Sequence, residues 1–383
     1  MEPARPTTSV RRVMTVLAAA AALVAAAAAP AQAEGHGSSG SPRRVASGLD
    51  NPRQLAFGPG GTLYIAEAGT GGAGPCVPGP EGEDVCFGTS GAVTAVNEHG
   101  RQWRPVSGLP SLAAAGGFAA IGPSDVVKPA EGRLAVLIGL GADPAVRDSL
   151  PEAGQTMGTL QLAVMGTSRM RTIADLAAHE AAANPIHDPD SNPSSLIKVG
   201  SRYVVTDAGG NTLVTVPSSG APRTTAVFQD QMADAPPFLG LPPGTQIPAQ
   251  AVPTAVVQGP DGAYYVSQLT GFPFEPDSAN IYRVRPGHAP TVWASGLTNV
   301  TSLAFDSRGR LYAVQLANDG LLNVPPGELP TGSLVKVSRS GDHTVVAGDL
   351  KAPYGVAIRG GAAYVSTCAI CPDGGEVWKM HLR

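Results

Sequence analysis

The sequence predicts an all-β protein, a six-bladed β-propeller whose last sheet is completed by a strand from the N-terminal side of the folded chain. Three observations predict it. A pattern of four short strands recurs six times, a lone strand-like segment precedes the first repeat, and long connections occur at only two places within each repeat. Gly and Pro account for 48 and 36 of the 383 residues, which favours many short strands joined by turns.

The first thirty-three residues precede this pattern and resemble a secretory signal peptide. Arg11 and Arg12 come before an apolar run over residues 13–29, and the small-residue sequence AQA follows. A basic start, a short apolar middle and a small-residue end are typical of export signals. We therefore predict a signal peptide over residues 1–33, a disordered linker over residues 34–41 and a single propeller over residues 42–383 of a secreted, extracellular protein. A retained anchor is the alternative, but no membrane span is expected after cleavage.

The repeat is clearest in the first two strands of each blade. The first strands read NPRQLAF, GPSDVVK, NPSSLIK, VPTAVVQ, NVTSLAF and APYGVAI, and the second strands read TLYIAEA, RLAVLIG, RYVVTDA, AYYVSQL, RLYAVQL and AAYVSTC. The chain ends before the sixth blade has a fourth strand, and PRRVASGL (residues 42–49) supplies one. This pairing closes the ring without a free edge, whereas an open solenoid would need end caps that the sequence lacks. The blades carry no WD or kelch signature and are of the looser NHL-like sort.

The connections between strands differ in length in a regular way. First-to-second and third-to-fourth turns are short, whereas the other two kinds of connection carry the insertions: residues 69–90, 141–158, 175–191, 229–251, 270–278, 317–331 and 369–374. In an up-and-down sheet these two kinds emerge on the same side, so one face is predicted to hold the loops and the binding function. One insertion, IADLAAHEAAANP, has helical spacing from Ile173 and predicts a short helical insertion between blades two and three that ends at Asn184-Pro185.

The four cysteines form two close pairs in the long loops of blades one and six. In an exported protein disulfides are expected. Four cysteines allow three pairings, of which we favour the local ones, Cys76 with Cys86 and Cys368 with Cys371. A redox dithiol at CAIC is the alternative.

Polar side chains recur where first strands begin and second strands end, at the predicted mouth of the channel. They form the predicted ligand-binding set: Arg53, Glu67, Asp125, Asn192, Asp207, Gln268, Asn299, Gln315 and Tyr354. The alternative is that these groups hydrogen-bond loops and channel water. Calcium prefers several convergent oxygens, and its plausible donors are Glu67, Asp125, Asn192, Asp207 and Asn299. No cofactor is predicted, and calcium is left open.

Other motifs indicate no catalytic residue. The sequence HEAAA at His179 lacks the second histidine of a zincin helix, and no G-x-S-x-G elbow occurs. The formal net charge is −4, and few Lys/Arg clusters occur in the sequence, which argues against a nucleic-acid partner. We expect a monomer that binds a small molecule, a glycan or an extracellular protein.

Several stretches together resemble the ScyD/ScyE family of exported bacterial propellers. They include GLDNPRQLAFGPGGTLYIAEAGTGG, GPCVPGPEGEDVCFG, ADLAAHEAAANP, AVPTAVVQGPDGAYYVSQLTGFPF and GEVWKM. The resemblance implies secretion and a propeller fold but no settled activity.

Three functions are therefore weighed. A secreted binding or scaffolding propeller is favoured. A calcium-dependent hydrolase, similar in fold to gluconolactonase and strictosidine-synthase-like propellers, is the alternative. The first blade also resembles quinone-dependent sugar dehydrogenases, which need a channel histidine that this sequence does not offer.

Overall fold

The computed structural model describes residues 41–80, 82–219 and 221–382. The predicted signal peptide and residues 34–40 of the predicted linker lie outside the described residues. Six antiparallel sheets follow one another along the chain, and the innermost strand of each contacts that of the next around a closed ring. The predicted six-bladed propeller is confirmed.

The strands have the following bounds. Blade one holds β2 (Pro52–Phe57), β3 (Leu63–Glu67), β4 (Cys76–Pro78), β5 (Asp84–Val96) and β6 (Gln102–Ala113), and blade two holds β7 (Pro123–Ala130), β8 (Arg133–Ile138), β9 (Thr159–Val164) and β10 (Met170–Asp175). Blade three holds β11 (Pro193–Val199), β12 (Arg202–Asp207), β13 (Thr212–Val216) and β14 (Arg223–Val227), and a separate hairpin, β15 (Gln231–Asp234) with β16 (Gln246–Ala249), follows it.

The remaining blades complete the ring. Blade four holds β17 (Pro253–Gln258), β18 (Tyr264–Gln268), β19 (Ala279–Val284) and β20 (Thr291–Leu297), and blade five holds β21 (Val300–Phe305), β22 (Leu311–Gln315), β23 (Thr331–Lys336) and β24 (Thr344–Lys351). Blade six holds β25 (Val356–Arg359), β26 (Ala362–Thr367) and β27 (Gly375–His381), with β1 (Arg43–Leu49) as its outermost strand.

The N-terminal strand closes the last sheet as the sequence predicts. β1 runs antiparallel to β27, with Arg43 opposite Lys379 and Leu49 opposite Gly375. Leu49 is 0% exposed and packs in one cluster with Leu55 and Ile65 of blade one. Because β1 belongs to blade six by pairing and contacts blade one by packing, it ties the two ends of the ring together.

One backbone hydrogen bond recurs in all six blades and fixes the start of each first strand. An N–H one or two residues after the second strand donates to a carbonyl one to four residues before the first strand, over 2.9–3.1 Å. The six pairs are Ala68 to Asn51, Gly139 to Gly122, Ala208 to Asn192, Leu269 to Val252, Leu316 to Asn299 and Ala369 to Ala352. Asn51 and Asn299 hold left-handed backbone angles at this corner, with φ of 49° and 41°, which asparagine tolerates better than most residues.

Two opposite faces result from the strand order. The turn face consists of the first-to-second and third-to-fourth turns, for example residues 58–62, 131–132, 200–201, 259–263, 306–310 and 360–361. The loop face consists of the other connections and carries the hairpin β15–β16 and the helix α1 (Leu176–Ala183). Among the described residues, no helix is long and apolar enough to cross a lipid bilayer.

The insertions on the loop face contain more structure than their sequences predicted. β4 pairs with β5 inside the first long connection, and β15–β16 occupies residues 229–251, which were predicted only as a long connection. The helix between blades two and three is confirmed, but it begins after Ile173, which belongs to β10. Asp175 ends that strand and caps the helix, because its side chain accepts a hydrogen bond from the Ala178 N–H.

Both predicted disulfides are present on the loop face. Cys76 is bonded to Cys86 and Cys368 to Cys371. The second bridge lies beside the start of blade one, where the Asn51 N–H donates to the Cys371 carbonyl at 2.9 Å. The bridge therefore holds the loop of blade six against blade one.

We expect Leu49→Ala to lower the free energy of unfolding by about 2–5 kcal/mol, because it empties a fully buried site at the seam of the ring. Val45→Ala, in the same strand but half-buried, should cost about 1 kcal/mol or less. Chemical denaturation of both variants measures the difference. Equal decreases in the free energy of unfolding of the two variants would show that Leu49 of β1 does not close the core.

Candidate functional site

The walls of the channel are held together by side chains of the first strands. At the first residue after the anchoring proline, or after Val300 in blade five, a hydroxyl donates to a backbone carbonyl of the next blade. The four bonds are Ser124 Oγ to Pro193 O at 2.7 Å, Ser194 Oγ to Pro253 O at 3.1 Å, Thr254 Oγ1 to Val300 O at 2.6 Å and Thr301 Oγ1 to Tyr354 O at 2.7 Å. We call these bonds, with those of the following residue described next, the inner ring.

Asp125 joins blade two to blade three in the inner ring. Its Oδ2 accepts hydrogen bonds from Ser195 Oγ at 3.1 Å and from the Leu196 N–H at 2.7 Å, and its Oδ1 accepts from the Val126 N–H. The side chain is only 5% exposed. Burial raises the pKa of Asp125 to about 7, although these three donors oppose the shift.

Gln54 crosses the channel from blade one to blade five. Its Nε2 donates to the Thr301 carbonyl at 2.8 Å, and its Oε1 accepts from Ser302 Oγ at 2.7 Å. Blade six, which lies between these two blades, has Gly355 at the equivalent position. A Cβ there would lie 2.6 Å from the Arg53 carbonyl, so only glycine leaves room for this crossing.

Arg53 and Tyr354 lie together at the loop-face mouth of the channel. The guanidinium of Arg53 donates to the carbonyls of Ala369 at 2.8 Å and Ala120 at 2.6 Å, and it lies 5.0 Å from the centroid of the Tyr354 ring. Burial raises the pKa of the Tyr354 hydroxyl, the positive charge of Arg53 opposes this, and the carboxylate of Asp125 adds to it. Arg53 and Tyr354 therefore form a contacting pair, and Asp125 of blade two acts on Tyr354 only through its charge.

The predicted residues at the ends of the second strands lie in different blades, and each hydrogen-bonds a connecting segment beside its own blade. Glu67 is fully buried, accepts from the Asp50 N–H at 2.9 Å and from Thr94 Oγ1, and pairs with Arg104 at 2.6 Å. Asp207 accepts from Ser191 Oγ at 2.7 Å and the Asn192 N–H at 2.6 Å.

The remaining predicted residues also hydrogen-bond loop groups. The Oε1 of Gln268 accepts from Gln231 Nε2 and the Asn280 N–H, both at 3.0 Å, while its Nε2 is buried without a partner among the described residues. Asn299 bonds the Leu269 carbonyl and the Leu321 N–H, and Gln315 accepts from the Thr298 N–H at 2.8 Å. The positions predicted as a ligand ring thus hold connections between blades.

The proposed calcium donors do not converge. Glu67 is neutralised by Arg104, Asp125 and Asp207 accept protein donors in different blades, and Asn299 is fully engaged. Within the described parts of the chain, no group of three or more His, Cys, Asp or Glu side chains is arranged to hold a metal ion. These residues therefore do not fit a calcium ion on the channel axis.

A second group of buried carboxylates lies at helix α1, and no motif in the sequence predicted it. Glu180 is 1% exposed, and its Oε1 has no hydrogen-bond partner among the residues that the structure describes. It packs on Gly210, where an added Cβ would lie 2.5 Å from Glu180 Oε2. Burial, and then the negative charges of Asp207 and Asp190, raise the pKa of Glu180 to about 7.

We expect this group to make the fold less stable as the pH rises. An unfolded glutamate has a pKa of about 4.3, whereas that of folded Glu180 is about 7, so the folded state holds the proton more tightly. The resulting stabilisation is complete below the unfolded pKa and is lost as the pH rises through the folded pKa.

Glu180→Gln removes this loss, and we expect it to raise the melting temperature by about 2–4 °C at about pH 8. The gain should be much smaller at about pH 5, where Glu180 is already protonated. Glu152→Gln, an exposed change on the same face, is the control. An equal gain at both pH values would contradict a buried, ionising Glu180.

Comparison with known proteins supports the fold and goes no further. No family model and no curated protein matches the chain. Among solved structures, a gluconolactonase from Xanthomonas campestris is 11% identical with a TM-score of 0.53, and the match covers 90% of each chain. A structural-genomics target assigned provisionally as a gluconolactonase is 10% identical with a TM-score of 0.50, over 90% of this chain and 93% of the other. At such identities the likeness shows the propeller architecture alone.

Proposed function

We propose that the protein is a secreted binding propeller that holds a small polar ligand at the loop-face mouth of its channel. The contact between Arg53 and Tyr354 carries this proposal, because it places a guanidinium and a phenol hydroxyl side by side at the mouth of a rigid ring. The resemblance to the ScyD/ScyE family is consistent with it, and membership of that family is part of the proposal.

Arg53 and Tyr354 keep unused hydrogen-bonding capacity. Arg53 has five guanidinium N–H donors and uses two of them on carbonyls. The Tyr354 hydroxyl has no hydrogen-bond partner within the described residues. Asp125, whose pKa burial raises to about 7, is already bonded to three protein donors and contributes its charge. Together these groups suit a molecule with hydroxyl or carboxylate groups, such as a sugar acid or a lactone.

The surrounding loops favour a preformed site. Arg53 is held by the carbonyl of Ala369, inside the loop that the Cys368–Cys371 bridge closes. Its other carbonyl partner, Ala120, belongs to the connection from blade one to blade two. Since both partners are backbone groups of stapled or packed loops, the guanidinium needs little reorganisation on binding, which favours affinity.

A thermal-shift screen of sugars, sugar acids, lactones and short peptides should give a stabilising ligand, and Tyr354→Phe should weaken its binding by about tenfold. The variant keeps the ring beside Arg53 and removes only the hydroxyl, whose lost hydrogen bond is worth about 1.4 kcal/mol. Tyr364→Phe, in the same blade but packed against Phe57, is the matched control. Unchanged affinity in Tyr354→Phe would place the ligand elsewhere.

The calcium-dependent hydrolase remains the alternative outcome of the same experiment. Although the axial donors do not fit calcium, the names of the structural neighbours suggest lactones as test substrates. Lactone turnover that requires calcium and survives Tyr354→Phe would replace the binding proposal with this one. Ligand stabilisation that is unchanged by a calcium chelator would support the binding proposal.

A further inference from the structure

The turn face is strongly basic, although the chain as a whole is acidic. Each of the six blades places an exposed arginine there: Arg101, Arg133, Arg202, Arg285, Arg308 and Arg359, in blades one to six. Further lysines and arginines stand beside them at the turn-face ends of the strands. The overall formal charge of −4 does not reveal these arginines, because it sums the charges of a basic face and an acidic face.

Few carboxylates balance these cations. Within the described residues the acidic side chains of the turn face are Glu98, Glu131, Asp261, Asp306 and Asp342. Three of them are paired with other basic residues: Glu131 with Lys128, Asp261 with Arg283 and Asp306 with Arg310. The exposed arginines named above have no carboxylate partner in the described part of the chain, so their charge faces solvent.

The loop face has the opposite sign. Its basic side chains, among the residues described, are Arg53, Arg104, Arg147 and Lys351. Arg104 and Arg147 are neutralised by Glu67 and Asp175. The many carboxylates of the long loops, such as those of Glu152, Asp230 and Asp277, remain in excess. The molecule is therefore a dipole whose positive end is the turn face.

The positive face also has two clefts that are lined in part by arginines. A cleft of about 550 Å³ between blades five and six is lined in part by Arg308 and Arg359, and by Arg310 and Asp306, which form an ion pair with each other. A second cleft, of about 160 Å³ at blade two, is lined in part by Arg133 and Arg169. Arginine recognises phosphate oxygens well because its donors form a planar fork.

The N-terminal segment joins the fold at this same face. β1 begins at Arg43 on the turn face, and the apolar run of residues 13–29 lies thirteen residues upstream, within roughly 45 Å of extended chain. Arg11 and Arg12 before that run favour an orientation in which the following chain leaves the cytoplasm. The described chain therefore enters the fold at the turn face.

We propose that the turn face docks onto the phosphate head groups of an anionic lipid bilayer, with the loop face directed away from it. The occupant is a surface rather than a linear polymer, because the cations stand on all six blades around the ring instead of along one line. Short turns without insertions leave this face free of protruding loops. Lysine and arginine near an anionic membrane contribute about 1 kcal/mol each, so several blades acting together give firm but salt-sensitive binding.

Co-sedimentation of the chain from residue 34 onward with phosphatidylcholine vesicles, with and without phosphatidylglycerol, tests the proposal. We expect binding only to the vesicles that contain phosphatidylglycerol, lost between about 0.02 M and about 0.5 M salt as the charges are screened. Arg133→Gln in blade two and Arg308→Gln in blade five lie on opposite sides of the ring. Each should weaken binding about fivefold, and the double variant about 25-fold.

The charge-matched control places the same loss on the loop face. Ala181→Glu with Ala182→Glu, both at exposed positions of α1, changes the net charge as much as the double arginine variant and should leave vesicle binding within about twofold. Equal weakening by both double variants would overturn the proposal, because net charge alone would then explain binding. Dependence on only one of the two arginines, or binding of soluble polyphosphate without binding of vesicles, would assign the face to another polyanion and overturn bilayer docking.

Discussion

The closed ring depends on hydrogen bonds that join neighbouring blades where no sheet can. Strands within a blade satisfy one another, but the innermost strands of adjacent blades meet side by side around the axis, and buried backbone groups there need partners. The inner ring supplies them through short side chains, chiefly Ser, Thr and Asp at the two positions after the anchoring proline. Because each bond joins two blades, the ring becomes a single rigid scaffold on which the loops are held.

The same constraint decides which polar groups remain for a ligand. Glu67 and Asp207 stand near the loop face, but both are buried and satisfied within their own blades. Arg53 and Tyr354 differ from these two carboxylates. At the first position after the anchoring proline, blades one and six carry Arg53 and Tyr354, whereas the other four blades carry Ser or Thr. The larger groups extend into the mouth of the channel. The break in the repeat thus coincides with the candidate site.

The architecture could be predicted from the sequence because each repeat is recognisable from short segments of the chain. Anchoring prolines, strand alternation and turn lengths are all visible without long-range information, and they predicted the blades, the closing strand and both disulfides. The sequence could not predict which residues bond each other within the inner ring, because partners such as Asp125 and Ser195 are seventy residues apart. The buried state of Glu180 depends on its packing against Gly210, which no local pattern records. The basic face was missed for a related reason, because its arginines are dispersed along the chain and converge only through strand direction.

Hydrogen exchange of three backbone amides tests the central role of the inner ring most directly. The N–H groups of Leu196, Val256 and Val356 donate to the side chains of Asp125, Ser195 and Ser302 of the preceding blades. If these bonds hold the ring, all three amides exchange only through global unfolding and rank with the slowest in the protein. Exchange as fast as that of the outermost strand β24 would contradict the account, because the blades would then be held by apolar packing alone.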